Sequence, residues 1–200
     1  MIEYIWSHIA SVSIAELLGM ISGVTGVYLS IKEKVLAWPF FIICYFSYVY
    51  LSWQASYYSN LLLNIVFIFI SIYGWINWSK TSIDSTPKVS IGSIPPQLLV
   101  RCILFILFFS ILLGRLADQY SQAYLPYLDA LATSCAFVAQ WMLSRKYLQN
   151  WIFWILADCI LTYLWVKQGY YVSTALFLIF IVLAFRGLRE WSSTIRTQSL

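Results

Sequence analysis

Seven apolar runs, at 14–31, 35–53, 59–78, 97–117, 126–143, 149–167 and 171–190, account for most of this 200-residue chain. Each is about as long as the roughly 17–25 residues a helix needs to cross the hydrocarbon core of a bilayer. The charged residues that would make such runs water-soluble are scarce. Only 10% of the chain is Asp, Glu, Lys or Arg while 62% is hydrophobic, against about 25% charged in an ordinary soluble domain. No water-soluble core of this size hides so much apolar surface. The chain therefore reads as an all-α integral membrane protein with seven transmembrane helices.

The breaks between runs are short (IKEK, QASYYSN, SRKYLQN, KQGYY), with one exception. Residues 79–96 form a polar loop rich in Ser, Pro and Gly, expected to be cytoplasmic. It separates a block at 14–78 from an isolated run at 97–117 and a block at 126–191, with short segments at 1–13 and 192–200. The N-terminal segment has no Lys or Arg before the first run, so no cleaved secretory signal is expected there. Lys32, Lys34, Lys80, Lys88, Arg101, Arg145, Lys146, Arg186, Arg189 and Arg196 fall on one side of the expected membrane; only Arg115 and Lys167 fall on the other. The positive-inside rule then puts the N-terminus outside and the C-terminus, with its 192–200 tail, in the cytoplasm. Cations scattered in ones and twos also argue against nucleic acid as a partner.

The chain contains an internal repeat. A shift of 113 positions, without gaps, lays Trp38 on Trp151, Tyr50-Leu51 on Tyr163-Leu164, Tyr57-Tyr58 on Tyr170-Tyr171, Gly74 on Gly187 and Trp78 on Trp191. Three helices per repeat is an odd number, so the isolated fourth helix restores a common direction. The expectation is a 3+1+3 arrangement of parallel repeats with a solute site between them near the midplane. Small residues at Gly19, Gly23 and Gly26, and at Ala132, Ala136 and Ala139, mark the first helix of each repeat as closely packed. Trp78, Trp191, Tyr57 and Tyr58 lie at run ends and read as interfacial anchors.

One carboxylate lies deep in an apolar run: Asp158, in NWIFWILADCILTYLW (150–165). A central Asp costs roughly 2.5–3.5 kcal/mol on insertion, so it asks for a function or a structural partner such as Arg145 or Lys146. At about 100° per residue, Asn150, Trp154, Asp158, Leu161 and Trp165 share a stripe bordered by Trp151 and Thr162. The equivalent stripe on the second helix is Ala37, Phe41, Tyr45, Tyr48 and Ser52; the third offers Asn60, Asn64, Phe67 and Ser71, and the fifth Gln140 with Asp129 and Thr133. Aromatic walls with a few polar heads suit a flat, ring-containing, water-soluble solute, and a carboxylate favours a cationic ring.

Other chemistries lack their residues. There is no GxxxxGK[ST] and no GxSxG. The single histidine, His8, precedes the first run, and Cys44, Cys102, Cys135 and Cys159 stand apart from one another. No catalytic residues, metal or cofactor are expected, and an enzyme is not. A membrane-embedded binding or assembly protein remains the competing reading.

The stretch AQWMLSRKYLQNWIFWILADCILTYLWVKQGYYVSTALFLIF (139–180) resembles the PnuC-type vitamin transporters. The resemblance rests on Asn150-Trp151, Trp154, Asp158, Lys167-Gln168-Gly169-Tyr170-Tyr171 and Thr174-Ala175, and SIYGWINW (71–78) looks like that family's close of the first repeat. It implies a SWEET-like 3+1+3 fold in the bacterial inner membrane, and uptake of a vitamin or nucleoside-like precursor by facilitated diffusion with intracellular trapping by phosphorylation. The substrate would be nicotinamide riboside, with thiamine the alternative. The implied substrate-binding residues are Asn150, Trp151, Trp154, Asp158, Gln140 and Asn64, and the aromatic stripe adds Phe41 and Tyr45. Phe177 stands where the pattern has a Tyr, which removes a hydroxyl. The partners are then the lipid bilayer and a small flat-ringed solute, and a second copy of the chain is left open.

Overall fold

Where the sequence turns from apolar runs to Pro, Gly and charged breaks, the helices begin and end. The computed structural model describes residues 13–54, 58–80, 90–120 and 124–198. Among them lie seven helices: α1 (Ile14–Ile31), α2 (Ala37–Gln54), α3 (Tyr58–Trp78), α4 (Pro96–Tyr120), α5 (Pro126–Ser144), α6 (Asn150–Gln168) and α7 (Tyr171–Gln198). His8, Tyr57 and Lys88 lie outside the described residues.

Local chemistry sets the boundaries. Ser13 Oγ accepts the Glu16 backbone N–H at 3.1 Å and so caps α1. Pro126 opens α5, where its missing N–H costs nothing. Gly169 closes α6 at φ 81, letting the Tyr170 N–H reach back to the Trp165 carbonyl at 3.0 Å. The last helix runs past the expected boundary at 190 to Gln198. An Arg186–Glu190 pair at 2.9 Å carries it on, one turn apart on the same face.

Four segments are long and apolar enough to cross a membrane on length and composition alone: Ile14–Ile31, Asn60–Trp78, Pro96–Tyr120 and Tyr171–Thr197. Helices α2, α5 and α6 have 18 or 19 residues each but carry more aromatic and polar side chains. These are the helices that pack on a neighbour on each side: α2 on α1 and α3, α5 on α4 and α6, and α6 on α5 and α7. Surrounded helices need less apolar surface than those facing lipid.

The chain divides into two compact units, one ending at Ser90 and the other beginning at Ile91. Helix α4, the expected linker helix, lies in the second unit. It buries Cys102, Ile106, Ser110 and Gly114 at four-residue spacing, and Tyr127 of α5 lies against Gly114. In the first unit the stripe Gly19, Ser22, Gly23 and Gly26 of α1 is buried, and Phe41 of α2 lies over Gly26. Absent side chains let these backbones approach, as small residues do in lipid-embedded bundles.

Each unit contains the same tryptophan arrangement. Trp38 meets Trp78 edge-on with centroids 5.3 Å apart, and Trp151 meets Trp191 edge-on at 5.4 Å. Trp38 packs against Gly74, Trp151 against Gly187. Trp78 and Trp191 are therefore buried core residues, which corrects their reading as interfacial anchors: a facing indole and a nearby glycine draw them inward. The turns preceding α2 and α6 also share several backbone bonds. Glu33 and Lys146 take φ of 54 and 55, Lys34 N–H bonds Leu29 C=O at 2.9 Å, and Tyr147 N–H bonds Met142 C=O at 3.0 Å.

Candidate functional site

The polar interior of the second unit is built on α5 and α6. Gln140 and Asn150 are 0% exposed and Asp158 is 3% exposed. Asn150 opens α6, and its Nδ2 donates to the Tyr147 carbonyl at 2.7 Å. That bond fixes the amide's direction and leaves Oδ1 buried with no hydrogen-bond partner. An acceptor left so costs about 1–3 kcal/mol, which a donating ligand would recover. Two turns on, the Asp158 carboxylate makes no hydrogen bond or ion pair among the described residues, so the alternative of a pairing with Arg145 or Lys146 is not realised there. The nearby Thr162 hydroxyl bonds the Asp158 backbone carbonyl at 2.7 Å rather than the side chain.

The indoles of α6 divide into two kinds. Trp151 is 1% exposed and wedged between Trp191 and Gly187, so it supports the helix from inside the unit. Trp154 and Trp165 are half-buried, and Trp165 meets Tyr170 edge-on at 5.2 Å. The indole N–H groups of Trp151 and Trp165 are buried donors without partners. The buried face of α6 consists of Asn150, Trp151, Ala157, Asp158 and Leu164, rotated toward Trp151 from the stripe the sequence suggested.

In the first unit Phe41 stacks on Tyr45 with centroids 6.3 Å apart, and Tyr45 on Phe67 at 5.0 Å. Asn64, one turn before Phe67, is buried, and its Nδ2 donates to the Asn60 side-chain oxygen at 2.7 Å. Asn150, Trp151, Trp154, Asp158 and Gln140 thus belong to one unit, and Phe41, Tyr45 and Asn64 to the other. Among the described residues no three His, Cys, Asp or Glu side chains gather in a way that could hold a metal ion.

The sequence pattern did not disclose what holds the turn carrying Asn150. Gly92 forms an isolated parallel bridge with Tyr147, and the Ile94 N–H donates to Gln149 Oε1 at 3.0 Å. Two isoleucines around a glycine before Pro95-Pro96 are the only sequence trace of this contact, and Ile91 and Ile94 are buried.

Seven helices among the described residues, four of them long and apolar enough to cross a membrane, describe a helical membrane protein, and the comparisons make it a transporter. Residues 13–193 match the nicotinamide mononucleotide transporter family, and the chain belongs to that family. It is 25% identical over 205 residues to the nicotinamide riboside transporter PnuC of Escherichia coli (strain K12), covering 90% of this chain and 86% of that one. The nicotinamide riboside transporter PnuC of Shigella flexneri matches to the same extent. The crystal structure of the vitamin B3 transporter PnuC is similar in fold, with a TM-score of 0.76 at 16% identity, over 98% of this chain and 87% of that one. The protein is thus a PnuC-type transporter, not an enzyme, and a multi-pass protein of the bacterial inner membrane.

Proposed function

We propose that this protein takes up nicotinamide riboside by facilitated diffusion and that phosphorylation inside the cell retains it. The observation that carries the substrate is the buried, unpaired Asp158 carboxylate on the helix face that also bears the orphan Asn150 Oδ1. The nicotinamide ring of the riboside is a fixed cation, which a carboxylate and indole faces attract. Its ribose hydroxyls and carboxamide supply the donors that Asn150 Oδ1 lacks. The mononucleotide, by which the family is described, adds a phosphate of about −1.5 to −2 charge. Beside Asp158 that charge is repelled, so the riboside is favoured, in keeping with the names of the relatives. Thiamine, also cationic, is the reading to test against it.

In this proposal Asn150, Asp158, Gln140 and Trp154 contact the solute, and Trp151 holds α6 in place behind them. Phe41, Tyr45 and Asn64 are proposed as solute-binding residues within the first unit. We further propose that all seven helices cross the membrane as a SWEET-like 3+1+3 repeat with the C-terminus in the cytoplasm. Support comes from the matching Trp38–Gly74–Trp78 and Trp151–Gly187–Trp191 clusters and the matched turns.

Counterflow in proteoliposomes tests the mode of transport. Vesicles loaded with unlabelled nicotinamide riboside are expected to accumulate the labelled compound transiently with no ion gradient, and a protonophore leaves the rate unchanged. Uptake that requires a proton or sodium gradient would replace facilitated diffusion by coupled transport.

A further inference from the structure

Asn60 stands one turn before Asn64 on the same face of α3, and two of its oxygens engage the Asn64 amino group. Asn64 Nδ2 donates to the Asn60 backbone carbonyl at 2.8 Å and to Asn60 Oδ1 at 2.7 Å. A side-chain amide carries two N–H donors and one acceptor oxygen. With its amino group held in this way, the atom Asn64 presents is Oδ1. The first bond is the ordinary return of a polar side chain to the preceding turn of its own helix. The second is additional. It comes from the side chain of an exposed residue, whereas Asn64 itself is 6% exposed.

The second unit holds its asparagine in the same sense. Asn150 Nδ2 donates to the Tyr147 carbonyl at 2.7 Å, and Oδ1 is the atom left over. An ionised Asp158 only accepts. Asn64, Asn150 and Asp158 thus all offer acceptors. These suit the donors of nicotinamide riboside, which are the carboxamide N–H groups and the ribose hydroxyls. They do not suit a carboxylate in place of the carboxamide, which has no donor to give. Asn64 is also near a flat surface. Phe67, one turn further along α3, stacks on Tyr45 with centroids 5.0 Å apart and 29° between the planes. An aromatic stack of this kind can carry a ring while a neighbouring amide reads its substituent.

We infer that Asn60 is a positioning residue: it pins Asn64 with the acceptor on offer and so sets a preference for a ring bearing a carboxamide over one bearing a carboxylate. This rests on the reading of Asn64 as a solute-binding residue. An amide turned end for end exchanges acceptor for donor with almost no change of shape. Packing therefore cannot hold it, and the hydrogen bonds around it decide which end is presented. Without Asn60 Oδ1 one of the two restraints is gone, and a carboxylate draws the amide round to present Nδ2. Asn60 itself touches no solute. Asp158 repels a carboxylate whatever Asn64 does. The contribution of Asn60 is therefore read in how far the preference changes.

The test is a titration of detergent-purified protein with nicotinamide riboside and nicotinic acid riboside. Kd for each is read from tryptophan quenching, with the thermal midpoint in parallel. Wild type is expected to prefer the amide. Asn60→Ala is expected to narrow that preference about tenfold, the equivalent of one well-made hydrogen bond, by weakening the amide and strengthening the acid. Asn60→Asp keeps a side-chain acceptor and is expected to hold the preference at or above that of wild type. Asn60→Leu also lacks an acceptor and takes the place of Asn60→Ala should that variant not fold. If Asn60→Ala lowers the midpoint but keeps the wild-type preference, while Asn64→Ala loses it, Asn60 is structural and the inference is overturned. Equal narrowing by Asn60→Ala and Asn60→Asp overturns it, and so does a wild type with no preference for the amide. Wild-type binding of both ribosides by Asn64→Ala removes the reading of Asn64 as a contact. A wild-type protein that binds neither riboside removes the substrate reading. The positioning role falls with either.

Discussion

Replacing Gly187 by leucine is expected to destabilise the second unit by about 3 kcal/mol or more, the upper range for overpacking a core. A Cβ at that position would lie 2.5 Å from Trp151 Cε2 and 2.6 Å from two further ring atoms. The ring has nowhere to go, because Trp151 is 1% exposed and Trp191 stands edge-on against it. Gly187→Ala tests the geometry more sharply. Helix propensity alone would favour Ala over Gly by about 1 kcal/mol, so a loss of stability there isolates the clash. Pairing it with Trp151→Phe, which shortens the ring, should recover part of the loss, and the two changes should be non-additive. Gly74→Leu is expected to act on Trp38 in the first unit in the same way. The measurement is the temperature at which the monodisperse peak is lost in size-exclusion chromatography. Wild-type thermal stability in Gly187→Leu would contradict this packing.

Asp158→Asn should have the largest effect on recognition. The substitution keeps the shape of a buried side chain and removes its charge, so the fold is expected to survive. The pyridinium nitrogen carries no N–H, so what is lost is charge attraction, and the affinity for nicotinamide riboside should fall about tenfold to a hundredfold. The reduced riboside, whose ring is uncharged, provides the control. If the carboxylate acts on the ring's charge, Asp158→Asn weakens the oxidised form far more than the reduced one. Equal losses for both would make Asp158 a structural group rather than a counter-charge. The measurement is competition between the two forms for the same binding signal.

Much of the fold was legible because lipid imposes a simple rule: long apolar runs are helices, and their breaks are turns. The bounds of α1, α5 and α6 lie within a residue or so of the apolar runs, since Ser13, Pro126 and Gly169 mark the ends chemically. The extension of α7 to Gln198 was hidden because a polar helix leaving the apolar run reads like a tail. Hydroxyls of Ser192 and Thr194 bonding back to Leu188 and Glu190 show how it continues as helix. The tryptophans mislead in a different way. Position in a run suggests an anchor for Trp78 and Trp191, whereas their partners Trp38 and Trp151 are far away in sequence and pack on the glycine one turn before each of them.

The candidate site was legible in its chemistry and less so in its geometry. Asp158 and Asn150 stood out as polar groups in apolar surroundings, and both are buried. A helical projection carries no information about neighbours, so it could not tell the enclosed Trp151 from the half-buried Trp154. The contact of Gly92 with the turn before α6 is made through backbone groups, which nearly every residue possesses, and so leaves little pattern to read.

The central claim, that the Asn150–Asp158 face binds a cationic aromatic riboside, is tested most directly by tryptophan fluorescence of the purified protein. Nicotinamide riboside, nicotinamide mononucleotide, thiamine, riboflavin and deoxynucleosides are titrated against wild type and Trp154→Ala. Saturable quenching by nicotinamide riboside alone, lost in Trp154→Ala, is the predicted result. Quenching by thiamine in place of the riboside, or saturable quenching that survives in Trp154→Ala, would contradict the account.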